Sequence, residues 1–120
     1  IVANLLMWYK AMEAAEELEK EGISCEIIDP RSLVPFDYET VLESLRKTGK
    51  LMIVHEDHYN GGWGAQLASY VAEHAITLLD APIVRVAAPD CPIPFSPTLE
   101  NYVIPSAQRI AEEARKLARL

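Results

Sequence analysis

The sequence predicts a three-layer α/β domain in which a mainly parallel sheet carries helices on both faces. Three observations predict it. Short apolar runs alternate strictly with stretches of helical periodicity, and each helix then supplies the crossover that a parallel pair of strands requires. The apolar runs show little polar alternation, as expected of strands covered on both faces. The 120 residues suffice for one core and leave no room for a second, so residues 1–120 are read as a single domain.

In chain order, Ile1-Val2-Ala3 reads as a shortened strand. Met7, Ala11, Ala14 and Leu18 mark the inward face of a helix whose other faces carry Glu13, Glu16, Glu17, Glu19 and Lys20. Gly22 stops that helix, and a short apolar strand follows from Ile23, ended by the turn-forming Asp29-Pro30. Asp37 is the N-cap of a second helix with apolar Val41, Leu42 and Leu45, and Gly49 is its C-terminal stop. Lys50 to His55 is the next strand. The third helix runs from about Gly64 to Ile76, with Leu67 and Val71 inward and the small Ala68, Ala72 and Ala75 permitting close approach. Pro82 to Ala87 is a further strand. From Pro89 to Pro105 the prolines at 89, 92, 94, 97 and 105 oppose a regular helix and a central strand, which predicts an ordered surface excursion or a partner-binding loop. Ser106 caps the last helix, whose stripe is Ala107, Ile110, Ala114 and Leu117.

Eleven basic against eighteen acidic residues give a formal charge of −7, so a nucleic-acid surface would work against the chain's own field. A charged macromolecular partner should be basic. Cys25 and Cys91 are too few for a disulfide scaffold, and no signal peptide or membrane-length apolar run is visible, so the expected setting is cytoplasmic, with no membrane. Opening on Ile1 rather than Met suggests an excised domain, a processed product or an unlisted leader.

Candidate chemistry is sparse. His55-Glu56-Asp57-His58 falls at a strand's C-terminal end, where ligands collect in open parallel sheets, but two His three apart near a strand end do not converge as zinc ligands. Hydrogen bonding of His55 and Glu56 at the sheet edge, with the others facing solvent, is the preferred reading. Asn60-Gly61-Gly62-Trp63-Gly64 could offer N–H groups to an anion, yet Leu67 stands where a dinucleotide fingerprint needs glycine and no Gly-Lys-Ser/Thr follows. It reads as a tight turn with close helix packing. Ser69 lacks a nucleophile elbow, and neither cysteine has a histidine neighbour in sequence. Cys25 reads as core and Cys91 as exposed without activation. The opening segment stands out: Leu5, Trp8 and Met12, with Tyr9 beside them, form a second apolar stripe displaced from the Met7–Leu18 face. Large apolar patches mark contact surfaces, which predicts a protein–protein interface and self-association into a homo-oligomer.

From Ala11 onward the chain resembles the C-terminal domain of the β subunit of thiamine-diphosphate-dependent 2-oxo acid dehydrogenase E1 components, the transketolase C-terminal-domain type. The matching stretches include Ala14-Ala15-Glu16-Glu17-Leu18, Ile28-Asp29-Pro30-Arg31-Ser32-Leu33-Val34-Pro35-Phe36-Asp37, and Lys47-Thr48-Gly49-Lys50-Leu51 running into His55-Glu56. Gly61-Gly62-Trp63-Gly64-Ala65, Leu79-Asp80-Ala81-Pro82 and Ala88-Pro89-Asp90-Cys91-Pro92-Ile93-Pro94-Phe95 follow in family order. The resemblance implies a Rossmann-like layer structure from an enzyme of pyruvate, branched-chain or acetoin type. It also implies that thiamine diphosphate and magnesium are held by other domains of the parent enzyme. No catalytic, cofactor-binding or metal residue is therefore carried onto this chain. It further implies contacts with E1 subunits and docking of the basic E2 subunit-binding domain, for which Asp80 and the C-terminal end at Leu120 are the positions carried over. Family members place a small residue, often Gly, near Leu5, so the Leu5, Trp8, Tyr9 and Met12 cluster departs from the pattern.

Two readings follow. One is a non-catalytic assembly domain of an E1 β chain, inactive alone. The other is an engineered self-associating module built on this domain. A hydrolase or metal enzyme using His55, Glu56 and His58 ranks behind both.

Overall fold

The computed structural model describes residues 1–120 and shows the predicted layers. Strand β1 (Val2–Ala3) leads into α1 (Leu6–Lys20), and α2 (Tyr38–Thr48) into β2 (Met52–His58). After α3 (Trp63–His74) and a 3₁₀ turn at Ile76–Leu78 comes β3 (Val84–Ala88), followed by α4 (Pro97–Val103) and α5 (Ala107–Ala118). The sheet order is β1-β2-β3, all parallel, with Val2 opposite Ile53 and Val54 opposite Val86. Because successive strand residues face opposite ways, Val2 and Ile53 turn to one face. There they pack with Val41 and Leu45 of α2 and Leu67 and Val71 of α3. Ala3, Met52, Val54 and Val86 turn to the other, against Met7, Ala11, Ala14 and Leu18 of α1 and Ile110, Ala114 and Leu117 of α5.

Local chemistry sets the helix ends. Asp37 accepts the Thr40 N–H at 3.1 Å, and Ser106 Oγ accepts the Arg109 N–H at 3.1 Å. Gly49 ends α2 at φ 68°, a left-handed turn open to glycine without steric cost.

Three expectations are corrected. The segment from Ile23 is extended but is not a strand: its only bridge pairs Ile28 with Val2, because β1 is two residues long and offers no longer ladder. The proline-rich excursion contains α4, since Pro97 sits in the first turn, where its missing N–H costs nothing. Helix α3 ends at His74, and Ile76 belongs to the 3₁₀ turn that follows.

The Ile28 bridge places that segment outside β1, so the spatial order is the Ile28 segment, β1, β2, β3. Chain connections from the C-terminal ends of β1 and β2 therefore diverge, leaving Asn4–Leu5 and His55–His58 at the edge where open α/β sheets present their working groups.

Candidate functional site

At the end of β2 the pairing with β3 slips: Val54 faces Val86, but the next pair is His58 with Ala88. The resulting bulge leaves His55 1% exposed. Its Nδ1–H donates to the Asp57 carbonyl at 3.1 Å, while Nε2 has no partner. Burial holds the imidazole pKa below its ordinary value, opposed by the Asp57 carbonyl and carboxylate. The ring lies 5.3 Å from that of Trp63 and directly under the glycine turn; a Cβ on Gly64 would sit 2.6 Å from Nε2. Gly62 and Gly64 are thus small because a neutral histidine fills the space beneath them. His58 is half-buried rather than solvent-facing, its Nε2–H donating to the Cys91 carbonyl at 2.7 Å, and the Glu56 carboxylate makes no hydrogen bond. The Ser69 hydroxyl donates to Glu73 at 3.2 Å, and burial pushes the Cys25 thiol up, so neither is an activated nucleophile.

Beside β1 the structure brings Leu5, Trp8, Tyr9 and Leu33 together around an open groove of about 730 Å³ between α1 and the Asp29–Leu33 segment. Leu5 and Tyr9 are 69% and 68% exposed, whereas Trp8 is half-buried against the core and meets Tyr9 edge-on at 5.2 Å. Met12 is not part of this groove; it lines a separate depression with Ala15, Cys25 and Ile27. Leu5 precedes α1 at φ 51°, ψ −132°, a left-handed conformation that favours glycine. Arg31, also at positive φ, lines the groove beside its ion-pair partner Asp29.

Sequence reasoning missed a second apolar surface on the excursion after β3. Phe95 is 101% exposed and Tyr102 88%, with Leu99 more than half exposed. The signal that could have found it is Ser96-Pro97 as a helix start, which places Leu99 and Tyr102 three apart on one face.

The opposite, N-terminal edge holds Asp80 and the end of α5. The Asp80 N–H donates to the Gly49 carbonyl at 2.7 Å, and Lys50 Nζ donates to the Ala118 carbonyl at 3.0 Å. Consecutive residues therefore tie both to one edge, where Asp80 and Leu120 are exposed.

A family model for the transketolase C-terminal domain matches residues 1–110. The chain belongs to this family. This transketolase C-terminal domain is 47% identical over 116 residues to the acetoin:2,6-dichlorophenolindophenol oxidoreductase subunit beta of Cupriavidus necator, covering 97% of the chain and 34% of that protein. It is 41% identical to the 2-oxoisovalerate dehydrogenase subunit beta of Bacillus subtilis, covering 90% of the chain and 33% of that protein. With the pyruvate dehydrogenase E1 component subunit beta of the same organism the identity is 40%, covering 98% and 36%. A solved chain described as a split gene transketolase, inactive beta4 tetramer, superposes at TM-score 0.83 with 33% identity, covering 99% of this chain and 37% of that one. The domain thus spans about a third of the length of these relatives. No helix in it is long and apolar enough to cross a membrane.

Proposed function

We infer that this transketolase C-terminal domain is a non-catalytic assembly domain of a 2-oxo acid dehydrogenase E1 β subunit, which holds subunits together and self-associates. The observation that carries the reading is the pair of exposed apolar side chains Leu5 and Tyr9, with half-buried Trp8 between them, at the rim of a groove whose other wall is the Asp29–Arg31 ion pair, beside a core that is already closed on both faces. Similarity to three β subunits of such dehydrogenases supports the parent enzyme, and likeness to a chain described as a β4 tetramer supports homo-oligomerisation. Thiamine diphosphate and magnesium belong to other domains of that parent. On this chain the Gly61–Gly64 turn, the stretch that could have offered N–H groups to an anion, is filled from below by His55. Asp80 and Leu120 are the surface offered to the basic E2 subunit-binding domain, a contact that the net charge of −7 favours.

Sedimentation across a dilution series tests the assembly role. A mass that rises with concentration is expected; a strictly monomeric protein, or one that decarboxylates a keto acid unaided, sinks the reading. The Leu5 geometry favours a second reading, a domain reworked into a self-associating module, because leucine occupies a conformation suited to glycine. Polar replacement of Leu5, Trp8, Tyr9 and Met12 abolishes association in the module and matters less in the assembly domain.

A further inference from the structure

We propose that Asn60-Gly61 is a modification site, where spontaneous deamidation makes position 60 acidic and releases the base of the proline-rich excursion after β3. Asparagine is a thermolabile side chain, and its fate depends on the residue that follows. Ring closure requires the next backbone nitrogen to reach the side-chain carbonyl carbon, an approach that a following side chain obstructs and glycine leaves open. Of the three asparagines, Asn4 precedes Leu5 and Asn101 precedes Tyr102, whereas Asn60 precedes a glycine. The turn keeps that glycine accessible. Asn60 and Gly61 are both exposed, Gly61 sits at φ 80° with nothing within 4 Å of the place a Cβ would take, and its N–H donates to no acceptor.

The reaction needs only water. The Gly61 nitrogen gives its proton to solvent and attacks Cγ of Asn60; the Cγ–Nδ2 bond breaks, and the amide nitrogen takes a proton from water and leaves as ammonia. Water then opens the resulting five-membered imide at either carbonyl, leaving an aspartyl or isoaspartyl residue at position 60. One water is consumed and one ammonia released, and nothing is oxidised or reduced.

What changes is the partner of Asp90. In the amide form Asn60 donates to that carboxylate twice, through its backbone N–H at 2.9 Å and through Nδ2. The second bond also holds the side chain still, so the clamp slows ring closure. A carboxylate at position 60 loses that bond and sets two like charges against each other. Little else holds the base of the excursion: His58 Nε2–H donates to the Cys91 carbonyl at 2.7 Å, and from residue 92 to residue 104 no hydrogen bond reaches the rest of the chain. Loss of the clamp therefore loosens the segment that displays Phe95, Leu99 and Tyr102.

Ageing of the whole chain at pH 8 and 37 °C, read by peptide mass spectrometry, tests the site. Position 60 should gain about one dalton at least tenfold faster than Asn4 or Asn101, and Asp90→Ala should quicken this at least threefold. Limited chymotrypsin digestion tests the release. Cleavage after Phe95, Leu99 or Tyr102 should be at least fivefold faster in the aged protein and in Asn60→Asp. The swap that combines Asn60→Asp with Asp90→Asn again sets an amide donor against a carboxylate, and should return cleavage to the parent rate. Conversion of Asn4 or Asn101 as fast as Asn60, or none at Asn60 while the urea-unfolded chain converts, overturns the site. An unchanged rate in Asp90→Ala overturns the clamp. Cleavage that does not quicken in Asn60→Asp, or that the swap does not restore, overturns the release.

Discussion

Replacing Leu5 by glycine should stabilise the fold while weakening association. Leu5 sits at φ 51°, ψ −132°, with its side chain 69% exposed. A non-glycine residue held in such a region costs on the order of 1–3 kcal/mol. Glycine removes that strain but brings a freer unfolded chain, which takes back roughly 0.5–1 kcal/mol. Little burial is lost, so the net gain is about 1 kcal/mol, or around 4 °C in midpoint for a domain of this size. Urea melts at concentrations low enough to keep the protein monomeric read this without contribution from binding. Leu5→Ala is the control: it removes the same side chain but leaves the backbone strained, and should be neutral or slightly destabilising. If alanine stabilises as much as glycine, the backbone argument is wrong and the exposed side chain was the liability. Loss of the leucine from the groove should raise the dissociation constant in both variants.

His55 is neutral when folded, and burial holds its pKa below the ordinary 6.5. The unfolded chain therefore takes up the proton first, and stability should fall as pH drops from about 6.5 through the lower folded value; urea midpoints between pH 8 and 5 should show this, and His55→Gln should flatten that part of the curve. Gly64→Ala would place a Cβ 2.6 Å from His55 Nε2 and 3.0 Å from Ile53 Cγ2, an overpacking expected to cost about 1–3 kcal/mol in thermal melts. Ser106→Ala removes the side-chain acceptor of the Arg109 N–H and should cost about 1 kcal/mol, with amide exchange quickening in the first turn of α5 rather than throughout.

Legibility followed the range of the forces involved. Helices α2 and α5 are written locally, in the Asp37 and Ser106 caps, the Gly49 stop and a 3.6-residue stripe, so their boundaries can be read before any fold is known. The family was legible from ordered motifs such as Gly61–Ala65. Helix α4 was obscured because five prolines argue against helix on average, whereas Pro97 at the first turn argues for one. The segment from Ile23 carries a strand's composition, but pairing is a property of its neighbour, and β1 supplies one bridge. At the candidate site, helical spacing joined Met12 to Leu5 and Trp8. What separates them is which loop packs beside α1: Asp29–Leu33 walls one depression and Cys25–Ile27 another, a tertiary fact that no spacing encodes. The strain at Leu5 was likewise invisible, since backbone angles are not composition.

The Gly49–Lys50 edge and the groove edge lie at opposite poles of parallel strands, some 20 Å apart along the seven residues of β2. A ligand seated at one pole does not shade the other. Two chains joined at their groove ends would consequently turn their Asp80 edges outward in opposing directions, converting one docking surface per chain into a two-headed tether. Such a tether can span two basic modules on one scaffold, where effective concentration raises avidity without any new contact.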